Sequence, residues 1–307
     1  MNLFPRLTQI INQRPKYLWL AAKLSMLGLL AGLSGCSLVV SGYNNSPSLL
    51  MYLWINPHLD LNTAQHHQTL KDLQQILGWH RQNQLPAYAV LLNRMQQLAP
   101  HNVSAEQVCA VVDEVADLME SLAFQFEEPV SRLALTLTSA QLQTLRKKYA
   151  QDWKDYRKEW QLDASADDQL EVQTDKGQSN AEKLYGRLSP TQKKLLRQLA
   201  QNSGYEGERT YAERVRLQKD NLAMHEAIQQ QRPDLAQTKT MVRNWLQNSI
   251  HTPDASYAAY LKRRKQTNCE AASKLHNITT GEQRNKAVRV LKDYEDDVRS
   301  LMQQKSS

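Results

Sequence analysis

Glycine and proline are scarce in this chain of 307 residues, which has 10 of each. Gln, Leu, Ala, Lys and Arg are abundant, and such a composition is typical of a helical protein. No heptad run is long enough for an extended coiled coil. The sequence therefore predicts an all-α fold, an irregular bundle of about eight to ten helices.

Sequence motifs of the common catalytic and metal sites are also missing. The chain has no GxSxG, P-loop, GxGxxG or HExxH motif and no CxxC pair. His66 and His67 are adjacent, so on a helix they point about 100° apart and cannot easily share one ion. We expect no enzymatic activity, no cofactor and no metal, and we expect the histidines to be solvated or part of the core.

The beginning of the chain is basic and then apolar. Four basic residues and no acidic one precede position 36, and an apolar run extends from Leu24 to Gly35. This order is that of a secretory signal peptide, predicted here over residues 1–35. The alternative is an uncleaved membrane anchor, because the apolar stretch could continue to Val40 and reach the lower limit for a spanning helix.

The motif that ends this run resembles a bacterial lipobox: Leu33, Ser34, Gly35 and Cys36. The resemblance implies that Cys36 is lipidated, for example with palmitate, and becomes the new N-terminus. Ser37 follows it, and similarity to enteric sorting signals then implies an outer-membrane lipoprotein facing the periplasm, with inner-membrane retention as the alternative.

The mature chain is less basic than the whole chain. Removal of 35 of the 307 residues would leave 272, and loss of Arg6, Arg14, Lys16 and Lys23 would lower the net charge from +7 to +3. This charge gives no argument for a nucleic-acid partner. The expected partners are the membrane, through the lipid, and a protein of the cell envelope, while the oligomeric state stays open.

Composition divides the mature part into four segments. Residues 36–61 form a lipidated tether, whose apolar part either packs on the domain or lies on the membrane. An N-terminal helical half spans 62–162 and a C-terminal half spans 181–307. The acid-rich, apolar-poor residues 163–180 between them are predicted to be a linker.

Four helix starts have the Ser/Thr-x-x-Gln spacing of a capping box, in which two side chains satisfy backbone groups reciprocally. They begin at Ser104, Thr138, Ser189 and Thr280. Their intervals are uneven, so a solenoid is not predicted.

Two groups of side chains are candidates for a binding surface. One is the dense corner that contains Trp79, His80 and Tyr88, and the other is an aromatic stripe on the helix after Thr138 that includes Tyr149, Trp153 and Trp160. The alternative for both groups is ordinary core packing. Cys109 and Cys269 are an even pair in an oxidising compartment, which favours a disulfide over two buried free thiols.

Two resemblances extend these expectations. Leu137-Thr138-Ser139-Ala140-Gln141 and Leu188-Ser189-Pro190-Thr191-Gln192 are similar to the LTxxQ motif of the periplasmic Spy/CpxP chaperone-like family. The whole mature chain resembles an uncharacterised family of proteobacterial lipoproteins, known as a domain of unknown function. The residues that carry this resemblance are Gly42-Tyr43-Asn44-Asn45, Trp79-His80-Arg81, Gln84-Leu85-Pro86, Gln107-Val108-Cys109, Leu184-Tyr185-Gly186, Asn268-Cys269 and Leu275-His276-Asn277.

The second resemblance places Cys109 and Cys269 on the family's cysteine positions and so supports their pairing. The sequence then leaves two main hypotheses for function. The first is a non-enzymatic lipoprotein that binds a protein or assists envelope assembly, and the alternative is a periplasmic chaperone-like binder of unfolded chains. An exposed aromatic stripe would favour the chaperone, and a buried one would count against it.

Overall fold

The computed structural model describes residues 47–303, and every regular element in that range is an α-helix. The all-α multi-helix bundle is thereby confirmed. The helices are α1 (Pro47–Leu59), α2 (Thr63–Asn83), α3 (Leu85–Leu98), α4 (Ala105–Phe124), α5 (Glu127–Ala134), α6 (Ser139–Glu159), α7 (Ala166–Tyr185), α8 (Pro190–Gln201), α9 (Gly207–Gln231), α10 (Leu235–Ile250), α11 (Ala255–Asn277) and α12 (Gly281–Gln303).

Capping boxes fix many of the helix starts. Ser104, Thr138 and Ser189 each accept the backbone N–H of the glutamine three residues on, whose side chain accepts the N–H of the capping residue. Thr280 and Gln283 make the same two bonds at the start of α12. The four boxes predicted from spacing are therefore all present, because this motif depends on a few neighbouring residues and little else.

The core is shared between distant parts of the chain. Helix α3 packs against α12, α4 against α11, and α6 against α9. Three apolar clusters fill the interior: one around Leu92, Leu184, Leu188, Leu275 and Leu291, one around Tyr52, Leu73, Leu142, Leu145 and Leu222, and one around Ala134, Ile228, Val242 and Leu246. The two halves predicted from composition are thus packed against each other.

The prediction of a linker over residues 163–180 is corrected. Most of this segment belongs to α7, whose capping box joins Ser165 to Asp168. Acidic residues at a helix N-terminus are favourable because they oppose the positive end of the helix dipole. The buried side of α7 includes Gly177, Asn180 and Ala181, which are small or polar and are missed by a search for large apolar residues.

The predicted tether over 36–61 contains helix α1. One side of α1 is packed against the rest of the protein. Tyr52 on this side is buried, and the centroid of its ring lies 4.1 Å from the centroid of the His66 ring. Residues 36–46 of the tether lie outside the described range.

Candidate functional site

The lipobox residues Leu33, Ser34, Gly35 and Cys36 lie outside the described residues, as does the whole segment 1–46. Within residues 47–303, none of the helices is both long and apolar enough to cross a membrane.

The aromatic stripe of α6 is mainly a packing surface. Tyr156 is 1% exposed, and burial raises its pKa to about 12. The Tyr149 hydroxyl donates to Asn221 Oδ1 at 2.9 Å, and burial raises its pKa as well. Trp160 is half-buried beneath Lys176, whose Nζ lies 4.8 Å from the ring centroid. Tyr149, Tyr156 and Trp160 therefore match the alternative prediction of core packing, because their neighbours come from α7 and α9.

Trp153 differs from the rest of the stripe because it lines an open groove between α6 and α9. The groove encloses about 730 Å³. Tyr211, Ala212 and Val215 complete its aromatic and apolar lining. Its charged edge consists of Glu208, Arg216, Lys219 and Asp220.

Ion pairs hold this charged edge in place. Arg157 donates to Glu208 at 2.9 Å and lies 5.0 Å from the centroid of the Tyr211 ring. Arg216 bonds to Asp220 at 2.5 Å, and a further bond to the Asn248 carbonyl ties it to α10. The edge has two acidic and two basic residues, so it does not select strongly for a polyanion or a polycation.

A cluster of tyrosines adjoins the groove through Tyr211. The rings of Tyr156 and Tyr211 stack with centroids 6.0 Å apart, and the hydroxyls of Tyr156 and Tyr205 lie 3.2 Å apart. The backbone N–H of Glu206 donates to the hydroxyl of Tyr260 at 3.0 Å. These contacts connect α6, the α8–α9 loop and α11 beneath the groove.

Arginines lie over these rings. Arg214 is 5.4 Å from the centroid of Tyr156, Arg264 is 5.3 Å from that of Tyr205, and Arg209 is 4.9 Å from that of Tyr260. Burial lowers the pKa of Arg214 to about 10. Cation–π contacts of this kind stabilise a cation that has lost part of its water. The floor of the groove therefore consists of tyrosine rings and arginines in mutual contact.

Sequence reasoning missed most of this cluster, because its members come from separate helices. One local signal was available: Tyr257, Tyr260 and Arg264 follow a three- and four-residue spacing and so share one face of α11.

The corner of Trp79, His80 and Tyr88 is packed, and both aromatic side chains are half-buried. The rings of His80 and Tyr88 lie 5.8 Å apart. Gln84 joins the corner to α4 by donating from Nε2 to the carbonyl of Leu118 at 2.6 Å. The Tyr88 hydroxyl is buried and makes no hydrogen bond to any described residue; burial raises its pKa to about 12. The helix-corner alternative fits this arrangement.

Both ring nitrogens of His276 make hydrogen bonds to groups of the fold. Its Nε2 lies 2.8 Å from the His101 carbonyl and its Nδ1 lies 2.9 Å from the Tyr185 hydroxyl. Since a carbonyl only accepts, Nε2 carries the proton and Nδ1 accepts from the tyrosine. Burial lowers the pKa of His276. No group of three or more His, Cys, Asp or Glu residues within 47–303 is placed to hold a metal ion.

Cys109 on α4 and Cys269 on α11 form a disulfide, with their Cα atoms 5.4 Å apart. Cys269 is completely buried, so the bond fixes two long helices from within.

A family model matches residues 57–239, and its description is "Family of unknown function (DUF6279)". The matched range includes both sides of the groove and Cys109 but not Cys269. No curated protein and no solved structure matches the chain.

Proposed function

The chain belongs to the family of unknown function DUF6279, and we propose that it is a membrane-anchored lipoprotein that binds another envelope protein in the groove between α6 and α9. The lipobox at Leu33-Ser34-Gly35-Cys36 supports the anchor and a position facing the periplasm. Ser37 supports the outer membrane as the destination.

The observation that carries the binding proposal is the composition of the groove. Protein interfaces typically have an aromatic or apolar centre, where most of the binding energy is concentrated, and a polar edge. The lining of the groove has both components, since Trp153, Tyr211, Ala212 and Val215 are aromatic or apolar and the other four side chains are charged. The tyrosine–arginine cluster beneath contacts Tyr211, and Trp153 donates a hydrogen bond from Nε1 to Gln218 Oε1. Both rings are therefore held before a partner binds, so binding costs little ordering of side chains.

A binding role without catalysis fits the environment of His276. Both of its ring nitrogens are engaged by groups of the fold. A catalytic base needs a free nitrogen within reach of a substrate.

The packing of the stripe counts against the chaperone alternative. Trp153 of the predicted stripe lines this groove, whereas Tyr149 and Trp160 pack against neighbouring helices. A binder of unfolded chains would be expected to expose a longer apolar surface.

Site-specific photocrosslinking in living cells tests the proposal. A photoreactive residue at Ala212 lies in the groove, and the same residue at the exposed Ala110 of α4 is the control. We expect one dominant crosslinked protein from position 212 and none from position 110. A broad spread of partly unfolded proteins at position 212 would support the chaperone instead, and equal products at both positions would contradict the groove.

Charge reversal at the edge of the groove provides a second variant. Lys219 is exposed, so Lys219→Glu should leave the fold unchanged while it weakens the crosslink at position 212 several-fold. The matched control is Lys262→Glu, an exposed lysine on α11.

A further inference from the structure

Helix α1 has an apolar face that no described part of the chain covers. The exposed side chains on this face are Leu49 (42%), Leu50 (49%), Leu53 (55%) and Trp54 (36%). With 100° per residue they lie within one arc of the helix, and Pro57 extends the same arc. Large exposed apolar side chains are otherwise scattered over the described residues, so this grouping marks an interaction surface.

The opposite face of α1 fixes the orientation of the helix. Ser48 and Tyr52 are buried, and Met51, Ile55 and Leu59 pack on the core formed with α2, α6 and α9. Because α1 is held by the body of the protein, its exposed face points outward in a defined direction.

We propose that this face of α1, formed by Leu49, Leu50, Leu53 and Trp54, lies on the surface of the lipid bilayer in which the acylated Cys36 is anchored. This inference rests on the lipid anchor of the proposed function. It adds that the helical body touches the membrane directly and in one orientation.

Chain length places α1 close to the membrane. Eleven residue steps separate Cys36 from Pro47, and even a fully extended chain of that length spans at most about 40 Å. Every other described helix follows α1 in the sequence. The bilayer is therefore the apolar surface that the anchor brings nearest to this face.

The lack of charged residues around α1 also fits the bilayer as the surface that this face contacts. From Cys36 to Leu59 the chain has no Asp, Glu, Lys or Arg, and Asp60 is the first charged residue. Leucine and tryptophan are the residue types that interfacial helices turn toward the lipid, while the opposite face of α1 packs on the core. At 13 residues α1 is too short to span a bilayer, so it would lie along the surface.

A basic segment lies beside the C-terminal end of α1. His58 Nε2 is 3.9 Å from Asp152, which lies 3.8 Å from the Nζ of Lys148. Lys148 belongs to the run Arg146-Lys147-Lys148, in which Lys147 is exposed. Arg146 is paired with Glu226 and Lys148 with Asp152, so the exposed Lys147 is the member of the run that would attract anionic headgroups.

The test uses the full-length acylated protein in vesicles of phosphatidylethanolamine and phosphatidylglycerol. Leu53→Cys provides a thiol for a fluorescent label, since Cys109 and Cys269 are bonded to each other and Cys36 would be acylated. The control is Leu261→Cys, an exposed leucine on α11. A nitroxide attached to lipid headgroups quenches labels near the membrane interface.

We expect several-fold stronger quenching at position 53 than at position 261, because interfacial helices insert about 5–10 Å into the headgroup and acyl boundary. Equal, weak quenching at both positions in protein that remains acylated and bound to vesicles would overturn the membrane contact and leave the anchor standing. Crosslinking of position 53 between two copies would overturn it in favour of a dimer. Protein that is not acylated and does not bind vesicles would overturn the anchor and the contact together.

Discussion

The side chains of Gln65 and Gln141 exchange two hydrogen bonds across the interface of α2 and α6. Gln65 Nε2 donates to Gln141 Oε1 at 3.2 Å, and Gln141 Nε2 donates to Gln65 Oε1 at 2.6 Å. Each glutamine is also the N3 residue of a capping box. The N-cap residue is Asn62 for Gln65 and Thr138 for Gln141. Two helix starts are thereby joined by the same side chains that cap them.

A second pair repeats this arrangement at the other end of the chain. Gln192 and Gln283 exchange hydrogen bonds of 2.7 and 3.0 Å, and they belong to the capping boxes of Ser189 and Thr280. In both pairs, the Nε2 of each glutamine also donates to a backbone carbonyl that lies two residues before the N-cap residue of the partner helix. The acceptor carbonyls are those of Thr136 for Gln65, Asp60 for Gln141, Ile278 for Gln192 and Arg187 for Gln283.

This pairing gives the LTxxQ-like segments a structural role. Leu137 and Leu188, which precede the capping residues, are buried, and each glutamine serves its own helix and a distant one. The similarity to the Spy/CpxP motif is thus accounted for by helix starts that interlock, and a chaperone function does not follow from it.

Replacing one of these glutamines should cost more than replacing an ordinary capping-box glutamine. Gln141→Met removes both hydrogen bonds to the buried Gln65 together with those to the Thr138 N–H and the Asp60 carbonyl, and we expect the free energy of unfolding to fall by about 2–4 kcal/mol. Gln107→Met is the control, since Gln107 is exposed and its side chain caps only Ser104. Urea unfolding measures the free energy of unfolding of both variants. Equal losses of this free energy would show that the hydrogen bonds between Gln65 and Gln141 add nothing to stability.

The disulfide should contribute strongly to stability. It joins residues 160 positions apart, and loop entropy then predicts a loss of up to about 5 kcal/mol when the bond is removed. Unfolding of the same protein with and without reductant measures this loss. The double variant Cys109→Ala with Cys269→Ala should not respond to reductant, whereas a wild type equally stable in both conditions would contradict the prediction.

His225 should make the fold sensitive to acid. Burial lowers its pKa from 6.5 to about 4, so the unfolded chain takes up a proton at a higher pH than the folded one. The stability that its neutral form contributes is complete above pH 6.5 and falls by about 3 kcal/mol as the pH drops to 4.

Variants at two histidines isolate this effect. Between pH 7 and pH 4, the unfolding free energy of His225→Leu should fall by about 3 kcal/mol less than the unfolding free energy of the wild type. His101 is exposed and serves as the control, and His101→Leu should follow the wild-type curve. Parallel curves for all three proteins would show that His225 is not the acid-sensitive group.

Two tyrosine hydroxyls should respond oppositely to removal. Tyr88→Phe deletes a buried hydroxyl that bonds no described residue, so the unfolding free energy should stay the same or rise by up to about 1 kcal/mol. Tyr149→Phe leaves the buried Asn221 without its donor and should cost about 1–2 kcal/mol. A large loss from Tyr88→Phe would indicate that this corner has an unrecognised polar partner.

Local patterns predicted local structure well. The boxes at Ser104, Thr138, Ser189 and Thr280 each depend on two residues three positions apart, so one sequence suffices to find them. Most of helix α7 is not predicted because the buried positions within residues 163–180 are Gly177 and Asn180, and its large buried residues, Leu184 and Tyr185, come only at its end.

Contacts between helices were not predictable in the same way. Gln65 and Gln141 are 76 positions apart, and nothing in either capping box indicates which other glutamine it meets. The floor of the groove has the same character, since Tyr156, Tyr205 and Tyr260 come from α6, the α8–α9 loop and α11 and are far apart in the sequence. A single sequence identifies helix starts and stripes, but it leaves their partners open.

The anchor at Cys36 underlies both the position of this protein at the membrane and the contact of α1 with the bilayer, and mass spectrometry of the mature protein from membranes tests it most directly. We predict a chain that begins at Cys36 with acyl groups attached, together with incorporation of labelled palmitate that Cys36→Ala abolishes. A mature protein that retains residues 1–35, or acyl labelling that persists in Cys36→Ala, would contradict the account.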